Sequence, residues 1–111
     1  MRRAWGVWLT KGAERDFFSI LRWTTVQFGM RQARVYETTL RSALKALASG
    51  PNALGCQARP ELGADVASLH TARQGHKARH IIVFRAHEKM TAIEVLRILH
   101  DSMDLAQHLD S

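Results

Sequence analysis

A chain of 111 residues can build one hydrophobic core but not two, and its 46% apolar and 23% charged content are those of an ordinary globular protein, so disorder is not the expected state. Sixteen Lys/Arg against ten Asp/Glu leave a formal net charge of +6, which suits an acidic partner, nucleic acid or protein, without choosing between them. The single cysteine, Cys56, excludes an internal disulfide or a thiolate metal cage and points to a reducing, cytoplasmic setting.

Arg2 and Arg3 precede an apolar run about half as long as a secretory signal needs. The longest uninterrupted apolar candidate, Ile81 to Phe84, is far short of the roughly 18 to 20 residues of a membrane span, so no membrane embedding is expected. Residues 4–9 alternate Trp5, Val7 and Leu9 against Trp8 and read as a short strand. Thr10 then stands as an N-cap, with Glu14 and Asp16 placed in the first turn of a helix, where the backbone dipole favours anions. Ala13, Phe17, Ile20, Leu21, Thr24 and Phe28 give that helix one apolar stripe, and Gly29 closes it. Ala33, Tyr36, Leu40, Ala43, Leu44 and Leu47 form a second stripe, ended by Gly50 and Pro51, and so short a link makes the two helices antiparallel neighbours.

Residues 50–65 hold both prolines and three of the seven glycines and read as a surface loop. Three β-like runs follow at 66–71, 79–86 and 91–99, joined by polar turns that suit hairpins. Asp101 or Ser102 is placed to cap a short final helix, with Asp104 in its first turn. The expected architecture is a single α+β domain over 1–111, in the order β-α-α-β-β-β. Its helical hairpin packs on a mostly antiparallel curved sheet and a short C-terminal helix follows. Both faces of the 79–86 run carry large apolar side chains, so something apolar should cover the face away from the helices.

The stretches "VWLTKGAERDFFSILRWTTVQFG", "ARVYETTLRSALKALASGP" and "HIIVFRA", ending in "IEVLRILHDSMD", resemble the RelE/ParE toxins of type II toxin–antitoxin systems, and the ParE branch most. The resemblance spans residues 5–109, with Leu-His-x-Ser-Met-Asp at the end as its most specific marker. It implies a cytoplasmic toxin that needs no cofactor and inhibits DNA gyrase by binding. It also implies a ParD-like, ribbon-helix-helix antitoxin, whose C-terminal segment wraps the toxin in a hetero-oligomer and would cover the open sheet face. In this family DNA is contacted through the antitoxin.

Two other readings stand beside it: a RelE-like nuclease that cuts mRNA on the ribosome, and a non-toxic interaction domain that keeps the fold. Cleavage of RNA without a metal needs an acid–base group and cations around the phosphate. The nuclease branch places an arginine and then a tyrosine or histidine just past its last strand, where this chain has His100, Asp101, Ser102, Met103 and Asp104, with no Lys or Arg after Arg97. Two carboxylates there would repel a phosphate, so the chain leans toward a binder and no catalytic residue is assigned, while His100 and His108 as acid–base groups and Arg79, Arg85 and Arg97 as phosphate contacts keep cleavage open as the alternative.

The resemblance makes Arg79, Arg85 and Arg97, with His100 to Asp104, the candidate target-binding residues, and Phe17, Ile20, Leu21 and Trp23 the candidate antitoxin-binding ones. Trp23 lies off the main helical stripe and best fits contact with another chain; Trp5 and Trp8 fit core or interface better than base stacking. His100, Asp104 and His108 share a face only if a helix begins early, and are too few for a metal site. Cys56 has no local histidine and reads as inert, and His70, His76, His80 and His87 read as solvated or hydrogen-bonded, with His80 set apart by its place between Arg79 and Ile81 at the start of the central strand. Arg15, Arg22, Arg31, Arg34 and Arg41 on the helices read either as a DNA-facing surface or as a solvated face.

Overall fold

The computed structural model describes residues 4–109; Arg2, Arg3 and Asp110 lie outside the described residues. Strand β1 (Gly6–Leu9) leads into helices α1 (Lys11–Phe28) and α2 (Met30–Ala46). Strands β2 (Cys56–Ala58), β3 (Val66–His70), β4 (His80–His87) and β5 (Ala92–His100) follow, and α3 (Leu105–Leu109) comes last. The five strands form one sheet in the order β1-β5-β4-β3-β2, with β1 parallel to β5 and the other three pairings antiparallel.

The sequence places α1 and α2 well. The Thr10 side chain accepts the Ala13 N–H at 3.1 Å and donates to the Leu96 carbonyl at 2.9 Å, so one residue both caps α1 and pins it to β5. Gly29 alone joins the helices, at φ 93°, a left-handed conformation that a side chain would strain. The hairpin lays Ala13, Phe17, Leu40 and Ala43, with Leu47 of the turn that follows, on Leu69, Ile82, Phe84, Ile93, Val95 and Ile98, which make the main core. Each large side chain buried there contributes roughly 1.5–3 kcal/mol.

Residues 50–65 depart from the expected loop. Cys56–Ala58 add an edge strand to β3, and a 3-10 turn follows at Pro60–Leu62. Three residues are too few to show the alternation by which a strand is recognised. Asp16 also departs: it lies beyond the first turn of α1, where only Glu14 sits. Its carboxylate accepts the Ile98 N–H at 2.9 Å, in the part of β5 beyond Val95, the last residue that β1 pairs. The expected cap of the last helix is corrected too, since α3 starts at Leu105 and the Asp104 carboxylate accepts the Ala106 N–H at 3.2 Å, while Asp101 is used elsewhere.

The cover expected from a partner over the second sheet face comes largely from the chain itself. Val66, Ser68, Val83 and Leu99 are buried but stand outside the helix-side core. The Pro60–Leu62 turn packs on β3, and α3 packs on both β5 and that turn. Arg59 ties the turn down by donating to the Ser68 hydroxyl at 2.9 Å. Among the described residues, no helix is long and apolar enough to cross a membrane.

Candidate functional site

A groove of about 1200 Å³ opens between the helical hairpin and the ends of β4 and β5. Ile20, Trp23, Thr24 and Phe28 of α1 and Gln32 and Tyr36 of α2 form one wall. His76, Lys77, Arg79 and His80 with Ile98, His100, Ser102 and Met103 form the other. The wall is mainly apolar because the stripe that buries α1 continues past the end of the sheet. Trp23 is 59% and Phe28 65% exposed, and their rings meet edge-on at 5.8 Å.

Of the residues expected to bind an antitoxin, Ile20 and Trp23 line the groove; Phe17 and Leu21 do not. Phe17 is sealed in the core beneath the Arg41 guanidinium, 5.1 Å from its ring, and Leu21 packs against the same core. Of those expected to bind a target, Arg79, Arg97, His100, Ser102 and Met103 line it, whereas Arg85 sits near Gly63 across the sheet and Asp101 and Asp104 lie outside. Tyr36, Phe28, Lys77 and His76 were missed. Tyr36 and Phe28 stand on apolar stripes that read as core, and only the length of the helices beyond the sheet distinguishes them.

The charged groups are largely satisfied within the protein. Arg97 grips Asp16 with two nitrogens, at 2.7 and 3.0 Å, and donates to the His108 carbonyl at 2.8 Å, joining α1, β5 and α3. The bond to Asp16 raises the guanidinium's proton affinity further. A bulge at Leu96, between the Phe84–Val95 and Val83–Arg97 pairs, shifts the alternation so that Ile98, not Arg97, enters the core. Asp101 pairs with His70 at 3.0 Å and with Arg79 at 3.1 Å, and these bonds, His70 first, hold its carboxyl below the usual range. Neither aspartate is bare: Asp101 is paired with His70 and Arg79, and Asp104 caps a helix. The two arginines lining the groove, Arg79 and Arg97, are each ion-paired within the chain.

Tyr36 reaches across to β4, with its hydroxyl 2.5 Å from His80 Nδ1 while its oxygen accepts the Arg79 N–H at 3.1 Å. The Tyr36 hydroxyl and His80 Nδ1 therefore share a single hydrogen bond that holds the ring against α2. Burial, then the neighbouring His100, lowers His80 to about 4. His100 stacks edge-on with it at 5.4 Å and bonds the Ser102 hydroxyl through Nδ1 at 2.7 Å. His100 lies on β5, so it shares no helical face with Asp104 and His108. Among the described residues, no three His, Cys, Asp or Glu gather as metal ligands.

The model of the ParE toxin of the type II toxin–antitoxin system parDE matches residues 7–105. Among solved structures, the chromosomal ParDE system from P. aeruginosa is similar with a TM-score of 0.69 and 20% identity, over 89% of this chain and 98% of that one. The RelBE2 toxin–antitoxin complex from Mycobacterium tuberculosis is similar with a TM-score of 0.58 and 20% identity, over 87% and 98%. At these identities the likeness carries the fold alone. No curated protein matches the sequence. The family match runs from β1 to the start of α3, across both walls of the groove, and the chain belongs to the ParE toxin family of type II toxin–antitoxin systems.

Proposed function

We propose that this toxin acts in the cytoplasm by binding and inhibiting DNA gyrase. A ParD-like, ribbon-helix-helix antitoxin holds it inactive by laying an amphipathic C-terminal segment in the groove. Such a pair stabilises the plasmid or chromosome that encodes it. The observation that carries the reading is the groove itself: apolar, bordered by Trp23, Phe28 and Met103, with Arg79 and Arg97 in internal ion pairs. A groove of this kind suits the apolar face of a helix. It offers a scissile phosphate few uncommitted guanidinium groups.

One observation favours the nuclease reading, namely His80, His100, Tyr36 and Lys77 in a single cleft. Against it, His80 Nδ1 is occupied by Tyr36 and the ring is a weak base. The test is to add the isolated chain to gyrase with supercoiled DNA and, separately, to translating ribosomes. Trapped gyrase–DNA cleavage complexes with intact mRNA are expected. Cut mRNA with active gyrase would replace this reading by the nuclease, and neither effect, with normal growth on expression, would leave an interaction domain.

A further inference from the structure

The outward face of the helical hairpin concentrates the chain's positive charge. On α1, Lys11, Arg15 and Arg22 fall at i, i+4 and i+11; on α2, Arg34, Arg41 and Lys45 fall at i, i+7 and i+11. Each set makes one stripe opposite the buried side of its helix, and all six residues are exposed. Two carboxylates share the face, Glu14 and Glu37, of which Glu37 is paired with Arg41 at 2.7 Å; the third acid of the hairpin, Asp16, is turned to Arg97. The stripes run about 16 Å along each helix, and packed helices lie roughly 8–10 Å apart. The result is two rows of cations side by side.

Beyond Lys45 the face continues into a cleft of about 360 Å³ with Ser42, Ser49 and Arg73 in its wall and no acidic residue. Lys45 and Arg73 are the charged groups of that wall, so this end of the face is positive as well. A duplex presents one negative charge per roughly 1.7 Å of its axis, dense enough to meet several of these cations at once. Of the exposed apolar side chains of the hairpin, Phe18 stands between Arg15 and Arg22, while Val26 lies past Arg22 and Met30 and Val35 sit at the start of α2, so the two cation rows themselves carry no continuous apolar strip for lipid.

We propose that this hairpin face binds the sugar–phosphate backbone of duplex DNA without sequence selectivity, so that the toxin touches DNA directly as well as through its antitoxin. The inference goes beyond the gyrase reading and does not depend on it. No recognition helix or ribbon is needed, because backbone contacts position a protein without reading bases.

The test is fluorescence anisotropy of a short duplex of arbitrary sequence titrated with the isolated full chain. Four to six phosphate contacts predict that affinity falls about 10²- to 10³-fold between about 50 and 200 mM salt. The triple variant R15Q/R22Q/R34Q should lower the slope of log affinity against log salt by about 3, whereas K89Q, in the turn between β4 and β5, should leave it unchanged. Far-UV circular dichroism checks that the triple variant is folded, and R22Q alone, expected to lower the slope by about 1, serves if it is not. Salt-independent or absent DNA binding would overturn the proposal. So would equal binding to a polyglutamate peptide or to anionic vesicles, which would reassign the face to acidic protein or to lipid. DNA binding without gyrase inhibition would sink the functional reading while leaving this one standing.

Discussion

Two apolar surfaces flank β4, and the chain treats them differently. On the side away from the helices, Val83 lies completely buried in a layer that α3 and the Pro60–Leu62 turn close over. On the helix side the hairpin covers Ile82 and Phe84, then overshoots the sheet and leaves Trp23 and Phe28 over an open groove. Both surfaces are comparably hydrophobic in sequence. The difference lies in whether the fold brings a cover, and it is the ground on which we propose the groove as the place for a partner.

The sharpest way to break this contrast is Val83→Asp. An unpaired carboxylate in a closed layer should cost about 4 kcal/mol or more, enough to unfold a marginal domain, measurable as loss of a cooperative thermal transition. Near-native stability would mean that the second face is open after all. Arg97→Ala tests the tie between the two regions. It strands the half-buried Asp16 carboxylate and frees α3, for a loss of about 2–3 kcal/mol in urea denaturation, and Arg97→Lys should recover little because it cannot make the two-nitrogen contact.

Trp23→Ala should separate binding from folding. We expect stability to change by less than about 0.5 kcal/mol, while affinity for the antitoxin drops roughly 30-fold, as for an interface anchor worth about 2 kcal/mol. The smallest effect concerns pH. His80 stands at about 4 when folded against 6.5 in the unfolded chain, so the unfolded state binds more protons between those values. Its contribution is complete above pH 6.5 and is lost as pH falls toward 4. After allowance for solvent screening the loss is about 1–2 kcal/mol. Asp101, also depressed, acts in the same direction as pH falls through its folded value. His80→Gln should flatten the dependence of the urea midpoint on pH across this window.

The sequence shows the hairpin because amphipathic spacing, the Thr10 cap and Gly29 are local signals, and it shows β3 to β5 because their alternation is strong. It conceals β2, three residues long, and the parallel pairing of β1 with β5, which is a choice of neighbour between strands far apart in the chain. Half of the groove was legible: Trp23 stood out as an aromatic off its stripe, and the region past the last strand was marked by "LHDSMD". Charges were harder. Asp16 fits a helix start as well as it fits Arg97, 81 residues away, and Asp101 looks like a cap until His70 and Arg79 converge on it. Such pairings are made by tertiary proximity, which spacing along the chain does not encode.

Hydrogen–deuterium exchange of the toxin, alone and bound to its antitoxin, tests most directly whether the groove is the docking site. The account predicts new protection at the α1–α2 tip, residues 20–36, and at 76–80 and 98–103, with β3 and the centre of β4 equally protected in both states. Protection gained over β3, α3 and the Pro60–Leu62 turn, with the groove still exchanging freely, would contradict it.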